Sequence, residues 1–146
     1  MNPSTHPLVI PHEGVMAFDK KTYRVFVRRT GSIYQNQKRR LKDTGYEIHQ
    51  FRKLVEEAIG QPCPFCETIL TAFNFSADHS QPVSRGGSTA LDNLEICCER
   101  CNQIKGMMTG TEFFGLMDFI RNWEPKVKIN LLARLRAGGR LIRGKA

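Results

Sequence analysis

Cys63-Pro64-Phe65-Cys66 and Cys98-Glu99-Arg100-Cys101 are two C-x-x-C pairs with 31 residues between them. A two-residue spacer lets both thiolates of a pair turn to one ion at about 2.3 Å, and two pairs complete the closed tetrahedron of a structural zinc site. A closed site keeps no position for a reactant, so Cys63, Cys66, Cys98 and Cys101 are expected to hold structure. Cys97 is left over. Because Cys98 has the right spacing to Cys101, Cys97 reads as a small buried apolar side chain on a strand, with use as an alternative ligand the other reading. Between and just after the pairs stand Asp78-His79, Pro82, Ser84-Arg85-Gly86-Gly87, Asn93-Leu94, Cys101-Asn102 and Lys105-Gly106. A histidine, with an ordinary pKa near 6.5, suits proton transfer at neutral pH. Taken singly, an Asp-His pair is a turn or a surface hydrogen bond, and an Asn after a Cys is a helix cap. Their joint placement within the cysteine frame marks them as a set. His6, His12 and His49 have no such companions and read as surface or packing residues.

In that order and spacing, DH, P, S-x-GG, NL, C-x-x-CN and KG resemble the HNH endonuclease family over roughly residues 63–113. The resemblance implies an α+β fold: a small zinc-stapled ββα-metal nuclease core with flanking helices and a basic N-terminal arm. It also implies a metal-dependent DNA endonuclease that leaves 5′-phosphate and 3′-hydroxyl ends. Phosphodiester hydrolysis needs a base to activate water, a cation to neutralise the transition state, and help for the departing oxygen. Carried over, His79 is the general base, Asp78 and Asn102 hold one divalent ion, and Asn93 fixes the loop and the base. Oxygen donors suit Mg²⁺ or Mn²⁺. Position 102 is Asn where many members have His, an HNN pattern that favours softer metals such as Ni²⁺ less. One tension stands: adjacent strand residues point to opposite pleats, so Asp78 and His79 need a local twist to share a cleft. Arg85, in the Gly-rich loop, and Lys105, beyond Asn102, are the side chains expected to reach DNA phosphates.

The elements around this set are read as follows. Residues 1–20 form an irregular arm, and Lys21–Arg29 alternates Tyr23, Val25 and Val27 with basic residues, as a short strand does. From Tyr46 to Ile59, Ile48, Phe51, Leu54, Val55, Ala58 and Ile59 recur at helical spacing, with Asp43 or Thr44 as cap and Gly60 as stop. Thr68–Asp78 reads as one or two short strands, Ser80–Asn93 as a loop, Leu94–Cys97 as a strand and Glu99–Gly106 as a short helix. A helix starting at Thr109 or Thr111 carries a mostly core-packing set from Phe113 to Trp123. Amphipathic Val127–Ala137 stops at Gly138-Gly139, before a basic tail.

With 146 residues the chain fits one domain, divided here into a basic arm and helix (1–60), a zinc-bound core (61–111) and C-terminal helices with a basic tail (112–146). No apolar run approaches the roughly 20 residues that span a bilayer, which excludes a helical membrane protein. The N-terminus shows no secretory pattern, so an intracellular, reducing setting is expected, in which five cysteines need an explanation other than disulfides. Net charge is +8, with 11 basic against 6 acidic residues in 1–60, 3 against 5 in 61–111, and 8 against 3 in 112–146. Basic flanks around a mildly acidic middle suit a polyanion such as double-stranded DNA, because phosphate neutralisation releases counterions. A merely well-solvated surface is the alternative. Two rival functions stay open at this point. One is a zinc-ribbon DNA-binding module without catalysis; the other is a small subunit whose nuclease acts with a phage packaging or restriction partner.

Overall fold

In a computed structural model the chain is described over residues 18–143, with side chains described to residue 138. The irregular arm expected over residues 1–20 therefore lies almost wholly outside the described residues. The element order is α1 (Lys20–Leu41), α2 (Ile48–Ala58), β1 (Phe75–His79), β2 (Leu94–Cys98), α3 (Glu99–Lys105), α4 (Gly110–Phe119) and α5 (Pro125–Arg143). Among the described residues, five α-helices and one two-stranded antiparallel sheet make this an α+β fold. The β1–loop–β2–α3 succession is the expected ββα unit.

The strand expected at Lys21–Arg29 is instead the first half of α1. Alternation over nine residues fits a strand, but Tyr23, Phe26, Val27, Thr30, Tyr34 and Gln37 also recur every three or four residues. They line the face that α1 buries or half buries. Asp19 caps the helix, its carboxylate accepting from Thr22 N at 2.8 Å. Arg29 then anchors α1 to the sheet: its guanidinium donates to Ala72 O, Phe75 O and the Glu99 carboxylate at 2.7–2.8 Å and lies over the Phe75 ring.

Helix α2 starts later than expected, and its cap is neither Asp43 nor Thr44. Glu47 forms a capping box with Gln50, while Asp43 and Thr44 close the preceding turn through bonds to Gly45 N and Tyr46 O. Gly60, at φ 86°, ends the helix as expected. Within Thr68–Asp78 only Phe75–His79 is strand, besides one isolated bridge from Pro62 to Ile69. Thr109 caps α4 in a second capping box with Glu112, as the sequence indicates. The α4 pattern is less of a core pattern than expected: Phe113 and Ile120 are buried, but Phe114, Phe119 and Trp123 are exposed, Phe119 at 73%. Helix α5 runs through Gly138-Gly139 instead of stopping there. Glycine costs a helix interior only about 1 kcal/mol per residue, too little to end one that is docked on a neighbour. Here α5 packs along α3.

One apolar core joins the elements. Phe26 of α1, Phe51 and Val55 of α2, Phe75 of β1, Ile96 of β2, Ile104 of α3, Phe113 of α4 and Leu132 of α5 belong to it. Each such side chain stabilises the fold by about 1.5–3 kcal/mol through removal from water. No helix among the described residues is long and apolar enough to cross a membrane.

Candidate metal centre and catalytic cleft

The two C-x-x-C pairs meet. The sulfurs of Cys63, Cys66, Cys98 and Cys101 all lie within 4.8 Å of one another, with Cys66 and Cys98 3.7 Å apart. Four sulfurs on a tetrahedron of radius about 2.3 Å are roughly 3.8 Å apart, so the cage already has the size of a zinc thiolate site. Local backbone produces it. Cys63 N donates to Thr68 O at 2.7 Å and Glu67 N to Cys63 O at 3.0 Å, folding the first pair into a tight knuckle with Glu67 at φ 66°. Cys98 ends β2 and caps α3, its sulfur accepting from Cys101 N at 3.4 Å. The sulfurs respond to one another electrically: hydrogen bonds from the Cys101 and Cys98 thiols pull Cys63 far below the usual thiol range, and the Cys101 thiol, bonded to Cys63 and then Cys98, is pushed far above it. Four sulfurs at this spacing could all ionise only around a cation that neutralises them. Cys97 faces away from the cage, fully buried, and burial raises its thiol pKa.

The expected catalytic residues gather where α3 crosses β1. Along β1, Ser76 and Asp78 face α3, and Asn102 and Lys105, one turn apart on α3, answer them in the same order. Asn102 Nδ2 donates to Ser76 Oγ at 2.6 Å, and Lys105 Nζ donates to Asp78 Oδ2 at 2.6 Å and to His79 O at 3.2 Å. This juxtaposition brings the expected ligands Asp78 and Asn102 to one seam. The Ser76 contact turns the Asn102 amide so that its carbonyl oxygen is the atom left for a cation. Lys105 takes one oxygen of Asp78 and leaves the other. Glu95, paired with Asp78 across the two strands, closes the third side; burial raises its pKa, and its Oε2 is buried without a hydrogen-bond partner. Oxygen donors of this kind suit a hard divalent ion.

His79 is not on that seam. It is the last residue of β1, 8% exposed, with Nε2 buried and unpartnered, and the pleat alternation holds to the end of the strand. Burial lowers its pKa, reinforced by Arg40 and Lys105 and opposed by Asp78. The imidazole is thereby kept neutral at neutral pH, the form a base requires.

Asn93 staples the loop between the strands. Its side chain accepts from Gln81 N at 3.0 Å and donates to Gln81 O at 2.9 Å and Ser88 O at 2.7 Å. Gly87 has its own reason: a Cβ there would stand 1.8 Å from Gln81 O, a position no side chain can take.

Of the two side chains expected to meet DNA, Lys105 lies in the interior and Arg85 stays at the surface in an ion pair. Lys105 is 1% exposed and held by Asp78, so it has no surface to offer a phosphate backbone. Arg85 forks onto the Glu112 carboxylate at 2.7 and 3.0 Å, tying the loop to the start of α4 and holding the Glu112 carboxyl down to about 2. Ser76, Glu95 and Glu112 are the participants that sequence reasoning missed. Ser76 two residues before Asp78, and Glu112 completing T-x-x-E, left a signal; Glu95 needed the strand register.

Lys105→Met makes a measurable prediction. It leaves Asp78 and Glu95 without their cation, and breaking a buried pair costs about 3–5 kcal/mol. Asp78 is 23% exposed, which places the loss toward the lower end. Urea unfolding of the variant within about 0.5 kcal/mol of the parent would contradict this account of the seam.

A search of curated proteins gives no match. The model of the HNH endonuclease family matches residues 63–114, a span that starts at the first zinc-type cysteine, takes in both strands and α3, and ends in α4. The cysteine cage and the β1–α3 seam both fall within it. Residues 63–114, about a third of the chain, therefore match the HNH endonuclease family, whose members are nucleases, a class of hydrolase.

Proposed function

We propose that the protein hydrolyses phosphodiester bonds of double-stranded DNA, by nicking or by cutting both strands, to leave 5′-phosphate and 3′-hydroxyl ends. The observation that carries the reading is the placement of Asp78 and Asn102 on one seam inside the cysteine frame, Asp78 held by Lys105 and Asn102 by Ser76. Asp78 and Asn102 would hold one Mg²⁺ or Mn²⁺, and Cys63, Cys66, Cys98 and Cys101 a structural zinc. A divalent ion bound there supplies Lewis-acid neutralisation of charge on the phosphate.

The chain's own groups divide the remaining work. Lys105 fixes the plane of the Asp78 carboxylate, since orienting a ligand from behind keeps its free oxygen in one place. Ser76 does the same for Asn102. His79 takes the proton of the attacking water at Nε2. That atom is buried, so its use requires the residues that cover it to move aside. Glu95 keeps a second carboxyl beside Asp78, its Oε2 turned inward.

Incubating the purified protein with supercoiled plasmid across a series of divalent ions tests the reading. Open-circle product is expected for nicking and linear product for double cutting, with Mg²⁺ or Mn²⁺ the best ions. Intact plasmid under every ion would overturn the proposal in favour of a zinc-stapled DNA-binding module.

A further inference from the structure

With Lys105 buried on Asp78 and Arg85 held in a surface ion pair with Glu112, the phosphates need further cations, and α1 supplies them. Its 22 residues include eight Lys or Arg and no Asp or Glu. Arg29 is anchored to the sheet; Lys20, Lys21, Arg24, Arg28, Lys38, Arg39 and Arg40 are all exposed. At 100° per residue, Lys21, Arg24, Arg28 and Arg39 fall within one narrow sector opposite the face carrying Phe26, Thr30 and Tyr34. The stripe runs along about 27 Å, somewhat less than one turn of duplex. Cations in the last turn suit the helix dipole, but Lys20, Lys21 and Arg24 sit at the wrong end, where positive charge destabilises a helix. Beyond the cap carboxylate of Asp19, nothing at that end favours them, whereas an external polyanion does.

The stripe also leads to the cleft. Arg40 follows Arg29 by eleven residues, three turns, and so lies on the same flank about 16 Å along. Arg29 touches Phe75 at the start of β1; four strand steps, about 13 Å, reach His79 at its end. Consistently, the Arg40 charge bears on His79. Just beyond α1 the backbone packs on the catalytic loop, where a Cβ on Gly45 would stand 3.2 Å from Thr89 O.

We infer that α1 is the duplex-docking surface, contacting phosphates through Lys21, Arg24, Arg28 and Arg39, and that Arg40 at its end takes a phosphate beside His79. This rests on the nuclease reading above for its substrate. It differs from a generally basic surface in assigning the contacts to one helix.

A labelled 30-base-pair duplex, with binding measured at 50 and 200 mM salt without added divalent ion, tests the surface. Three lost phosphate contacts remove about 2.7 from the log–log salt slope, so Lys21→Gln/Arg24→Gln/Arg28→Gln should reduce the affinity ratio between the two salts by about 40-fold. Lys126→Gln/Lys128→Gln/Arg134→Gln on α5 removes the same charge and should change the ratio far less. Arg40→Gln should slow cleavage at saturating DNA by about 10²-fold, as loss of one charge-stabilising donor does, with Arg40→Lys partly restoring it. Equal losses from the α1 and α5 triples, or Arg40→Gln cleaving at the parent's rate, would overturn the inference. Plasmid cleavage by the unaltered protein is scored separately. If it persists while the α1 triple binds as the parent does, the docking surface is wrong and the nuclease reading stands. If the parent binds through α1 but cuts nothing, the surface stands and the nuclease reading falls.

Discussion

The His79→Ala protein is expected to cleave plasmid about 10²- to 10⁴-fold more slowly than the parent while keeping its zinc and most of its DNA affinity. A general base contributes that much to rate and little to ground-state binding. The position favours a clean experiment, because no hydrogen bond holds Nε2. Asp78 should behave differently. Asp78→Ala would strand the Lys105 ammonium in the interior, so Asp78→Asn, which keeps the shape, is the better variant. Its loss of cleavage should recede as the divalent concentration is raised, whereas no concentration should rescue His79→Ala. Acid should inhibit the parent with a midpoint below the ordinary histidine value near 6.5, since burial lowers the His79 pKa and the neutral form persists to lower pH. If the His79→Ala protein, checked against a mock preparation, cuts at the parent's rate, His79 is not the base.

Removing the cysteine-bound metal should have the largest effect on the fold. Zinc binding to four-ligand structural sites has an apparent free energy of about 10–16 kcal/mol near neutral pH, comparable to the whole 5–15 kcal/mol stability of a domain. In this chain one ion would tie three elements: Cys63 and Cys66 precede β1, Cys98 ends β2 and Cys101 lies in the first turn of α3. Losing it should also disorganise the seam, because α3 carries both Asn102 and Lys105. Elemental analysis should find one zinc per chain, and Cys98→Ala or strong chelation should abolish cooperative unfolding. A zinc-free parent, or a Cys98→Ala protein that melts with it, would refute the assignment.

Legibility followed the range of the interactions. The cysteine frame was readable because C-x-x-C spacing is enforced by the covalent chain, and the structure brings all four sulfurs together. The α4 start was readable for the same reason, as Thr109 and Glu112 complete a capping box within one turn. Helix α1 was not. Tyr23, Val25 and Val27 satisfy a two-residue period as well as part of a longer one, and only docking of Phe26, Thr30 and Tyr34 on the core separates the two. The exposed rings of Phe114, Phe119 and Trp123 were misjudged as core because hydrophobicity along a helix does not say which face finds a neighbour.

The sequence by itself determined which groups this protein has for chemistry and the metal cage near them. It could not determine their partners. Lys105 stands 27 residues after Asp78, and whether its ammonium meets DNA or a carboxylate depends on how α3 lies across β1. Glu95 joins Asp78 only through the strand register, which a shift of one residue would turn to the other face. Such contacts arise when separate elements dock, a process governed by the shape of the shared core and not by spacing along the chain. For that reason the tertiary structure alone moved Lys105 from the DNA surface to the interior and brought the charge of Arg40, on a helix whose first half was expected to be a strand, to bear on His79.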